Sequence, residues 1–219
     1  MATHGYDTGV AENNVNMQTA IARSGPDSVA IADALCGSGA CIIDGLFADL
    51  ADDLAAESRL LQQRGAMQAA RVGRGSSQQE NLQLRGDSAL WLDDPACIAG
   101  RQLLHRLERL AEGLRESLRL PIRSVEAHYA HYPAGASYAR HRDRFRDSGS
   151  RLLSWVGYLN PDWRVDDGGQ LRIHFEDGAS GDVLPTLGTS VCFLSELEHE
   201  VLPARLDRYS VAAWFRRDE

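Results

Sequence analysis

The stretch from Tyr138 to Phe145 reads YARHRDRF and alternates arginine with residues that can bind a metal. Arginine occupies positions 140, 142, 144 and 146, and His141, Asp143 and Phe145 lie between them. Because extended backbone points successive side chains to opposite faces, a strand here would place the arginines on one face and His141 with Asp143 on the other. Two interpretations follow: a solvated basic face above a partly buried one, or two ligands of one metal ion pointing into a pocket.

A third ligand is available at His199, which begins the segment HEVLPARLDRYSVAAW. Two histidines and one carboxylate on a single face of an ion form the triad of non-haem Fe(II) oxygenases, which leaves the other coordination positions open. A structural zinc site would instead be closed by four protein ligands. His-x-Asp alone is weak evidence, and its combination with a later histidine is what predicts a metal centre here.

Arg208 follows His199 on or beside the strand that runs to Trp214. A guanidinium buried on such a strand needs an anionic partner, and a carboxylate held by two parallel hydrogen bonds is its best geometric match. We therefore expect Arg208 to bind an anion near the metal.

The first half of the chain is predicted to be mainly helical, after a polar and patternless segment over residues 1–27 that is expected to be a disordered tail. Residues 49–64 carry leucines on one stripe and end near Gly65, which predicts a helix. A second helix is predicted to begin at Asp94 as its N-cap, with Pro95 in the first turn. Its core stripe would consist of leucines 103, 107, 110, 114 and 118.

After residue 120 the hydrophobic period changes to two, which is typical of strands. The predicted strands are VEAHYAHY, RLLSWVGYLN, QLRIHFE, SVCFLSE and YSVAAWFR, separated by turn residues. Helices followed by a block of antiparallel strands predict an α+β fold, in which helices support a β-sandwich or jelly roll. We expect residues 28–219 to form a single domain. The segment 71–84 is rich in Gly, Ser and Gln, which predicts a loop with room to move.

The composition argues against several classes of protein. The 219 residues carry a formal net charge of -8, which argues against general nucleic-acid binding because that binding depends on neutralising phosphates. All basic residues are arginine, so no lysine can act as a catalytic base or form a Schiff base. The N-terminal stretch lacks the features of a signal peptide, and no apolar run approaches a membrane span. A cytoplasmic protein with reduced cysteines is expected.

Four segments in order resemble the core of one family, the 2-oxoglutarate- and Fe(II)-dependent dioxygenases, in its prolyl 4-hydroxylase branch. They are YPAGASYARHRD, SWVGYLNPDW, GGQLRIHF and HEVLPARLDRYSVAAWF. The match is best to the oxygen-sensing prolyl hydroxylases and their bacterial relatives, and RGDSALWLDD resembles a segment ahead of their core. The resemblance implies a double-stranded β-helix (jelly roll) core that spans roughly residues 30–217.

The resemblance also implies roles for individual residues. His141, Asp143 and His199 would hold Fe(II), and Arg208 would bind the distal carboxylate of the co-substrate 2-oxoglutarate. The charges agree with this assignment, because Fe(II) with one aspartate and one arginine balances a dianionic co-substrate.

Three aromatic residues would complete the pocket according to the same resemblance. Tyr158 would hydrogen-bond the carboxylate held by Arg208, and Tyr132 and Trp214 would line the space beside co-substrate and target. The animal oxygen sensors have one more residue between the tyrosine that matches Tyr132 and the first ligand. Ala212 stands where those sensors have a hydroxyl residue, so oxygen reactivity could differ.

For the substrate, the resemblance implies a prolyl residue of a protein, hydroxylated at C4 while 2-oxoglutarate is decarboxylated to succinate and CO2. Elongation factor Tu is the specific protein partner expected, and the loop at 71–84 would fold over the bound peptide. O2 is the second co-substrate, ascorbate is a candidate reductant, and a monomer without nucleic-acid or membrane partners is expected.

Alternative functions stay open on the sequence. The same core could hydroxylate a free amino acid or another small molecule, or it could be a metal-binding sensor module without turnover. A nucleic-acid demethylase is disfavoured by the acidic charge balance and by Trp214, which stands where such enzymes carry a second arginine. The remaining histidines of the strand region, His128, His131 and His174, are interpreted as structural or surface residues.

Overall fold

The computed structural model describes residues 20–70, 85–144 and 150–218. The predicted loop at 71–84, as well as Phe145 and Arg146, lie outside the described residues. Twelve strands and three α-helices follow one another within the described part of the chain. In order they are β1 (Ala22–Ser24), α1 (Ser28–Ser38), β2 (Ala40–Asp44), α2 (Ala51–Gln63), β3 (Gln68–Ala69), β4 (Ser88–Trp91), α3 (Ile98–Leu118), β5 (Ser124–Tyr132), β6 (Tyr138–His141), β7 (Arg151–Tyr158), β8 (Leu171–His174), β9 (Ser180–Val183), β10 (Thr189–Leu194), β11 (Glu198–Val201) and β12 (Arg208–Arg216).

The strands form two sheets. The large sheet has the order β1-β2-β10-β7-β12-β5-β4-β3, and the small sheet has the order β6-β11-β8-β9. The pairs are antiparallel except for β1 with β2. A buried apolar cluster joins the inner faces of both sheets, with Tyr158 and Phe193 from the large sheet and Leu171 and Ile173 from the small one. The predicted jelly roll is confirmed.

The helices cover the other face of the large sheet. Nearly all residues of the central strand β12 are buried, because it packs against helices on one side and the small sheet on the other. The predicted leucine stripes are confirmed: Leu54 and Leu61 of α2 are buried, as are Leu103 and Leu107 of α3. Among the described residues, no helix combines the length and the apolar character that crossing a bilayer requires.

The start of α3 was predicted wrongly. The helix begins at Ile98 rather than after Asp94, whose carboxylate instead accepts the N–H of Ala96 in the preceding turn. The free N–H groups of Ile98, Ala99 and Gly100 donate to the carboxylate of Glu57, at 2.7, 2.8 and 2.9 Å. A carboxylate at a helix N-terminus satisfies these donors and complements the helix dipole. The capping group therefore comes from another helix, where local sequence patterns cannot show it.

The N-terminal region also differs from the prediction. Residues 1–19 lie outside the described residues, but strand β1 and the N-cap Asp27 of α1 fall within the segment expected to be a tail. Strand β2, with the sequence ACIID, was missed in a region read as helical. Its short apolar run is fully covered by β10 on one edge and β1 on the other, and such a run cannot be told from buried helix by periodicity alone.

Candidate metal centre and its cavity

His141, Asp143 and His199 meet at the open end of the sandwich. Strands β6 and β11 pair so that His199 lies directly opposite His141. The imidazole rings are 4.2 Å apart between centroids. Asp143 Oδ1 lies 3.6 Å from His141 Nε2, and Asp143 Oδ2 lies 3.5 Å from His199 Nε2. One ligand atom from each residue falls within 4.8 Å of the others, so a single ion can contact all three.

The predicted strand through this motif is shorter than expected. It ends at His141, and Asp143 lies in the bend beyond it. The bend turns the carboxylate towards both imidazoles, so the two side chains point into one cavity although only one of them belongs to a strand.

Both histidines present the same ring nitrogen to the centre. The Nδ1 atom of His141 lies 2.7 Å from the carbonyl of Ala139, and that of His199 lies 3.0 Å from the carbonyl of Leu197. Since a carbonyl oxygen can only accept, Nδ1 carries the proton in each ring and Nε2 keeps its lone pair. The lone pairs face the carboxylate, as two metal-binding imidazoles would require.

The pKa values of His199 and Asp143 are both lowered in this centre. It lowers the pKa of His199 to about 4, despite the opposing effect of Asp143, so this imidazole is neutral near pH 7. Burial alone would raise the pKa of Asp143, but in acid the positive charge of protonated His199, the contact with His141 and the Arg151 guanidinium hold it well below its usual value. A neutral imidazole and an ionised carboxylate are the protonation states that bind a divalent ion without losing protons.

Arg208 lies deeper in the same cavity. Its side chain is 1% exposed, Nε donates to the carbonyl of Gly169 at 2.9 Å, and Nη1 donates to Ser210 Oγ at 3.1 Å. Its Nη2 atom is buried without a hydrogen-bond partner among the described residues. Gly169 has a φ of 69°, and an added Cβ would lie 3.2 Å from Arg208 Cδ, so a glycine permits this close approach. A buried guanidinium with a free donor is poised for an anion.

Two tyrosines flank the Arg208 guanidinium. The rings of Tyr132 and Tyr158 lie 5.2 and 5.3 Å from its Cζ atom. The hydroxyl of Tyr158 is buried without a partner within the described ranges, and burial raises its pKa, so it stays protonated as a donor. The Arg208 guanidinium and the Tyr158 hydroxyl are therefore two buried donors that can both bind an acceptor.

The outer part of the cavity is aromatic. Trp214 lies there with the Arg151 guanidinium stacked 3.6 Å above its ring, and Tyr138 stacks on His141 with centroids 3.6 Å apart. Arg85 lies at 5.0 Å over Tyr138 and donates from Nε to Asp87 at 2.6 Å.

The structure therefore brings six of the seven predicted site residues to the wall of one cavity: Tyr132, His141, Asp143, His199, Arg208 and Trp214. Tyr158 does not line this cavity and is buried beside Arg208. Sequence reasoning missed His128, which lines this cavity instead of being a surface or purely structural residue. It also missed Ser154, whose hydroxyl donates to Asp143, and Ser195, whose hydroxyl contacts that of Ser154. A lone serine has no sequence signal for such a role. The sequence does contain a signal for His128. In a strand, residues 128, 130 and 132 point to the same face, so His128 could have been placed beside Tyr132, which was predicted to line the pocket.

The arginines beside the motif face solvent and are ion-paired. Arg140 Nε donates to Glu198 at 2.7 Å, Arg142 lies 3.7 Å from the same carboxylate, and Arg144 pairs with Glu196 at 3.0 Å. They match the interpretation of a solvated strand face. The other face carries the metal-binding residues. The solvated arginine face and the pair of candidate metal ligands are therefore both present in this stretch.

A stability measurement can test the protonation state of the cavity wall. Burial lowers the pKa of His128 from 6.5 to about 4. Below pH 6.5 the unfolded chain takes up a proton that the folded protein cannot accept until about pH 4, so this group makes stability fall across that window. We expect His128→Met to remove about 2 kcal/mol of the stability loss between neutral pH and about pH 5.

The measurement is chemical denaturation of the metal-free protein at both pH values. His105→Gln, on the exposed side of α3, is the control for removing a histidine as such. Equal pH dependence in wild-type protein and His128→Met would show that His128 is not held neutral by burial.

A two-histidine, one-carboxylate face that leaves coordination positions open, at the end of a jelly roll, is the ligand arrangement of non-haem Fe(II) oxygenases. The family model described as the 2OG-Fe(II) oxygenase superfamily matches residues 127–216, which contain every predicted site residue. The chain belongs to the 2OG-Fe(II) oxygenase superfamily.

Individual relatives agree with this membership. A crystal structure of a Pseudomonas putida prolyl-4-hydroxylase is 39% identical, with a TM-score of 0.79, and the match covers 88% of this chain and 100% of that one. A prolyl hydroxylase from Trichoplax adhaerens, in complex with a hypoxia inducible factor peptide fragment, is 27% identical with a TM-score of 0.78, covering 86% and 88% of the two chains.

The curated relatives are longer proteins. Egl nine homolog 1 of Rattus norvegicus and of Homo sapiens are each 29% identical over 188 residues, or 81% of this chain. The match covers 55% of the rat protein and 43% of the human one, so the chain spans about half the length of these relatives.

Proposed function

We propose that this protein is a 2-oxoglutarate-dependent dioxygenase that hydroxylates a prolyl residue of a protein substrate. The observation that carries the proposal is Arg208 Nη2, a buried donor without a partner among the described residues, in the same cavity as the His141, Asp143 and His199 group. The ring of Tyr158 lies 5.3 Å from the Arg208 Cζ atom, and its buried hydroxyl is a second such donor. A metal-binding triad alone would suit several oxygenase classes. A buried cation within the same cavity favours one that uses a carboxylate co-substrate.

The site residues would have two separate roles, metal binding and co-substrate binding. His141, Asp143 and His199 would hold Fe(II) on one side, since their donor atoms lie together, Asp143 is ionised and His199 is neutral. Arg208 would bind the distal carboxylate of 2-oxoglutarate, and the Tyr158 hydroxyl would donate to the same group. Bound Fe(II) supplies the coupling of O2 reduction to decarboxylation of 2-oxoglutarate, which yields succinate, CO2 and a hydroxylated substrate.

The chain itself contributes orientation and a dry environment. Arg208 and Tyr158 are buried, so their hydrogen bonds to a carboxylate would form away from water and be stronger for it. Tyr132 closes the space beside them and is itself only 5% exposed. These contacts would fix the co-substrate in one orientation relative to the three metal-binding side chains.

The outer part of the cavity supports a prolyl target. Trp214 and Tyr138 offer flat apolar surfaces, which suit a pyrrolidine ring. A solved relative of 39% identity is a prolyl-4-hydroxylase, and another is in complex with a peptide fragment, so a prolyl residue within a polypeptide is the substrate class that we propose. Elongation factor Tu is the specific candidate, on the strength of the family resemblance seen in the sequence.

The test is a coupled assay. Protein loaded anaerobically with Fe(II) is given O2, 2-oxoglutarate and elongation factor Tu, and succinate and the substrate mass are measured. We expect succinate formation that depends on the substrate and a gain of one oxygen atom on a proline. Free L-proline and a panel of free amino acids are run in parallel.

Each other outcome identifies a different function. Oxygen gain on a free amino acid, and none on the protein, would replace the proposal with a small-molecule hydroxylase. Fe(II) binding without any succinate would indicate a sensor module. Cytoplasmic location, a monomeric state and the use of ascorbate stay predictions.

A further inference from the structure

The Asp143 carboxylate is hydrogen-bonded to a buried serine, whose hydroxyl in turn contacts a second buried serine. Ser154 Oγ donates to Asp143 Oδ2 at 2.7 Å, and Ser195 Oγ lies 2.9 Å from Ser154 Oγ. Ser154 is 1% exposed and Ser195 is 0% exposed, so water does not compete for these contacts. Hydrogen bonds to an ionised carboxylate in such surroundings are short and strong.

The direction of the protons in these hydrogen bonds is fixed. A serine hydroxyl has one proton to donate, and an ionised carboxylate can only accept. Ser154 therefore gives its proton to Asp143, and its oxygen must accept the proton of Ser195. Donation by Ser195 polarises the Ser154 hydroxyl and strengthens the bond to the carboxylate.

The backbone of Ser195 ties the same elements together. Its N–H donates to the carbonyl of Leu152 at 3.1 Å, and its carbonyl accepts the N–H of Arg144 at 2.9 Å. Arg144 is the residue directly after Asp143, and the turn that contains Ser195 leads into β11 and His199. One turn therefore anchors the bend that carries the carboxylate and the strand that carries the second histidine.

We propose that Ser154, oriented by Ser195, is a positioning residue that keeps Asp143 as a one-oxygen metal ligand. The inference rests on the proposed function, since it concerns Fe(II) at this centre. The Ser154 hydroxyl takes one lone pair of Oδ2 and restrains rotation of the carboxylate, which favours Oδ1, the oxygen nearer His141, as the ligand atom. A carboxylate free to bind through both oxygens would fill a coordination position that 2-oxoglutarate or O2 needs.

The experiment compares Ser154→Ala, Ser154→Thr and Ser195→Ala. The readouts are the anaerobic Kd for Fe(II), measured against a chromophoric chelator, and the Kd for 2-oxoglutarate at saturating Fe(II), measured by the charge-transfer absorption of the ternary complex. We expect Ser154→Ala to weaken Fe(II) binding by about 10- to 100-fold, as loss of a partner of a metal ligand does. It should also weaken 2-oxoglutarate binding at saturating Fe(II), because the released carboxylate takes up part of the open face.

Matched variants separate positioning from general packing. Ser154→Thr keeps the hydroxyl and should restore both constants, and Ser195→Ala should shift them in the same direction but less than Ser154→Ala. Ser190→Ala removes another fully buried hydroxyl, which donates to the carbonyl of Ile43 on the helix-facing side, and should leave both constants at wild-type values.

Two results would overturn the inference while the proposed function stands. One is wild-type Kd values in Ser154→Ala, and the other is a loss of folding stability in that variant with unchanged metal and co-substrate binding. If the wild-type protein does not bind Fe(II) and 2-oxoglutarate, the proposed function itself is wrong. Measuring both Kd values for the wild-type protein therefore distinguishes this outcome from a failure of the inference about Ser154.

Discussion

Replacing His199 with alanine should reduce the affinity for Fe(II) by more than about 100-fold, beyond what loss of an outer partner costs, and should abolish 2-oxoglutarate turnover. The reason is geometric, because His199 Nε2 is one of the three donor atoms that fall within 4.8 Å of each other. With two ligands left, the ion would be held by one imidazole and one carboxylate. Fe(II) binding and succinate formation are the two measurements.

The neighbouring strand offers a matched control. His174 on β8 points to the outer face of the small sheet and pairs with Glu200 at 2.9 Å. His174→Ala removes an imidazole from the same sheet without touching the cavity, so both quantities should stay at wild-type values. Retained turnover in His199→Ala would mean that the metal ligands are assigned to the wrong residues.

Replacing Arg208 with glutamine should weaken 2-oxoglutarate binding by about 30-fold or more while leaving the Kd for Fe(II) unchanged. The estimate follows from the cost of removing one partner of a buried charged pair, which is about 2 kcal/mol or above. Arg208 lines the cavity without belonging to the metal-binding group, which is why the two affinities should separate. Titration of 2-oxoglutarate into the Fe(II)-loaded variant measures the effect.

The same variant should show a second signature in stability. Without co-substrate, Arg208 is a buried cation whose contacts are to neutral acceptors, Gly169 O and Ser210 Oγ, so its removal should leave the unfolding temperature equal or higher. Added 2-oxoglutarate should stabilise wild-type protein and not the variant, because ligand stabilisation follows affinity.

Arg172→Gln, which removes a guanidinium paired with Asp182 on the outer face, controls for loss of charge. It should keep the stabilisation by 2-oxoglutarate. The same co-substrate affinity in Arg208→Gln as in wild-type protein would contradict the role of Arg208.

The sequence predicted the convergence of distant residues better than it predicted their local structure. The alternation around His141 placed histidine and aspartate together, and they are together, but Asp143 lies in a bend and not on a strand. The direction of its carboxylate depends on Arg144 N–H bonding to Ser195 O and on the Ser154 hydroxyl. These partners lie on other elements, and a period-two pattern carries no information about them.

The sequence also failed to predict a short buried strand and the start of a helix whose capping group comes from another element. Ala40–Asp44 is too short for its period to be read, and its identity as a strand comes from its pairing with β10. The first turn of α3 has no capping residue of its own, so Asp94 and Pro95 looked like the better start. In both places the deciding partner is distant in sequence, whereas the long leucine stripe of α3 is determined by the helix itself.

Glu57 joins three layers of the protein through one carboxylate. Besides the three N–H groups of α3, its Oε1 atom accepts the hydroxyl of Tyr129 at 2.7 Å. Tyr129 stands on β5 between His128 and Ala130, whose side chains form the cavity wall on the opposite face. A change in the angle between α2 and α3 would therefore move Tyr129 and, with it, the cavity wall. A substitution in the helical layer can therefore change the shape of the cavity without replacing any residue that lines it.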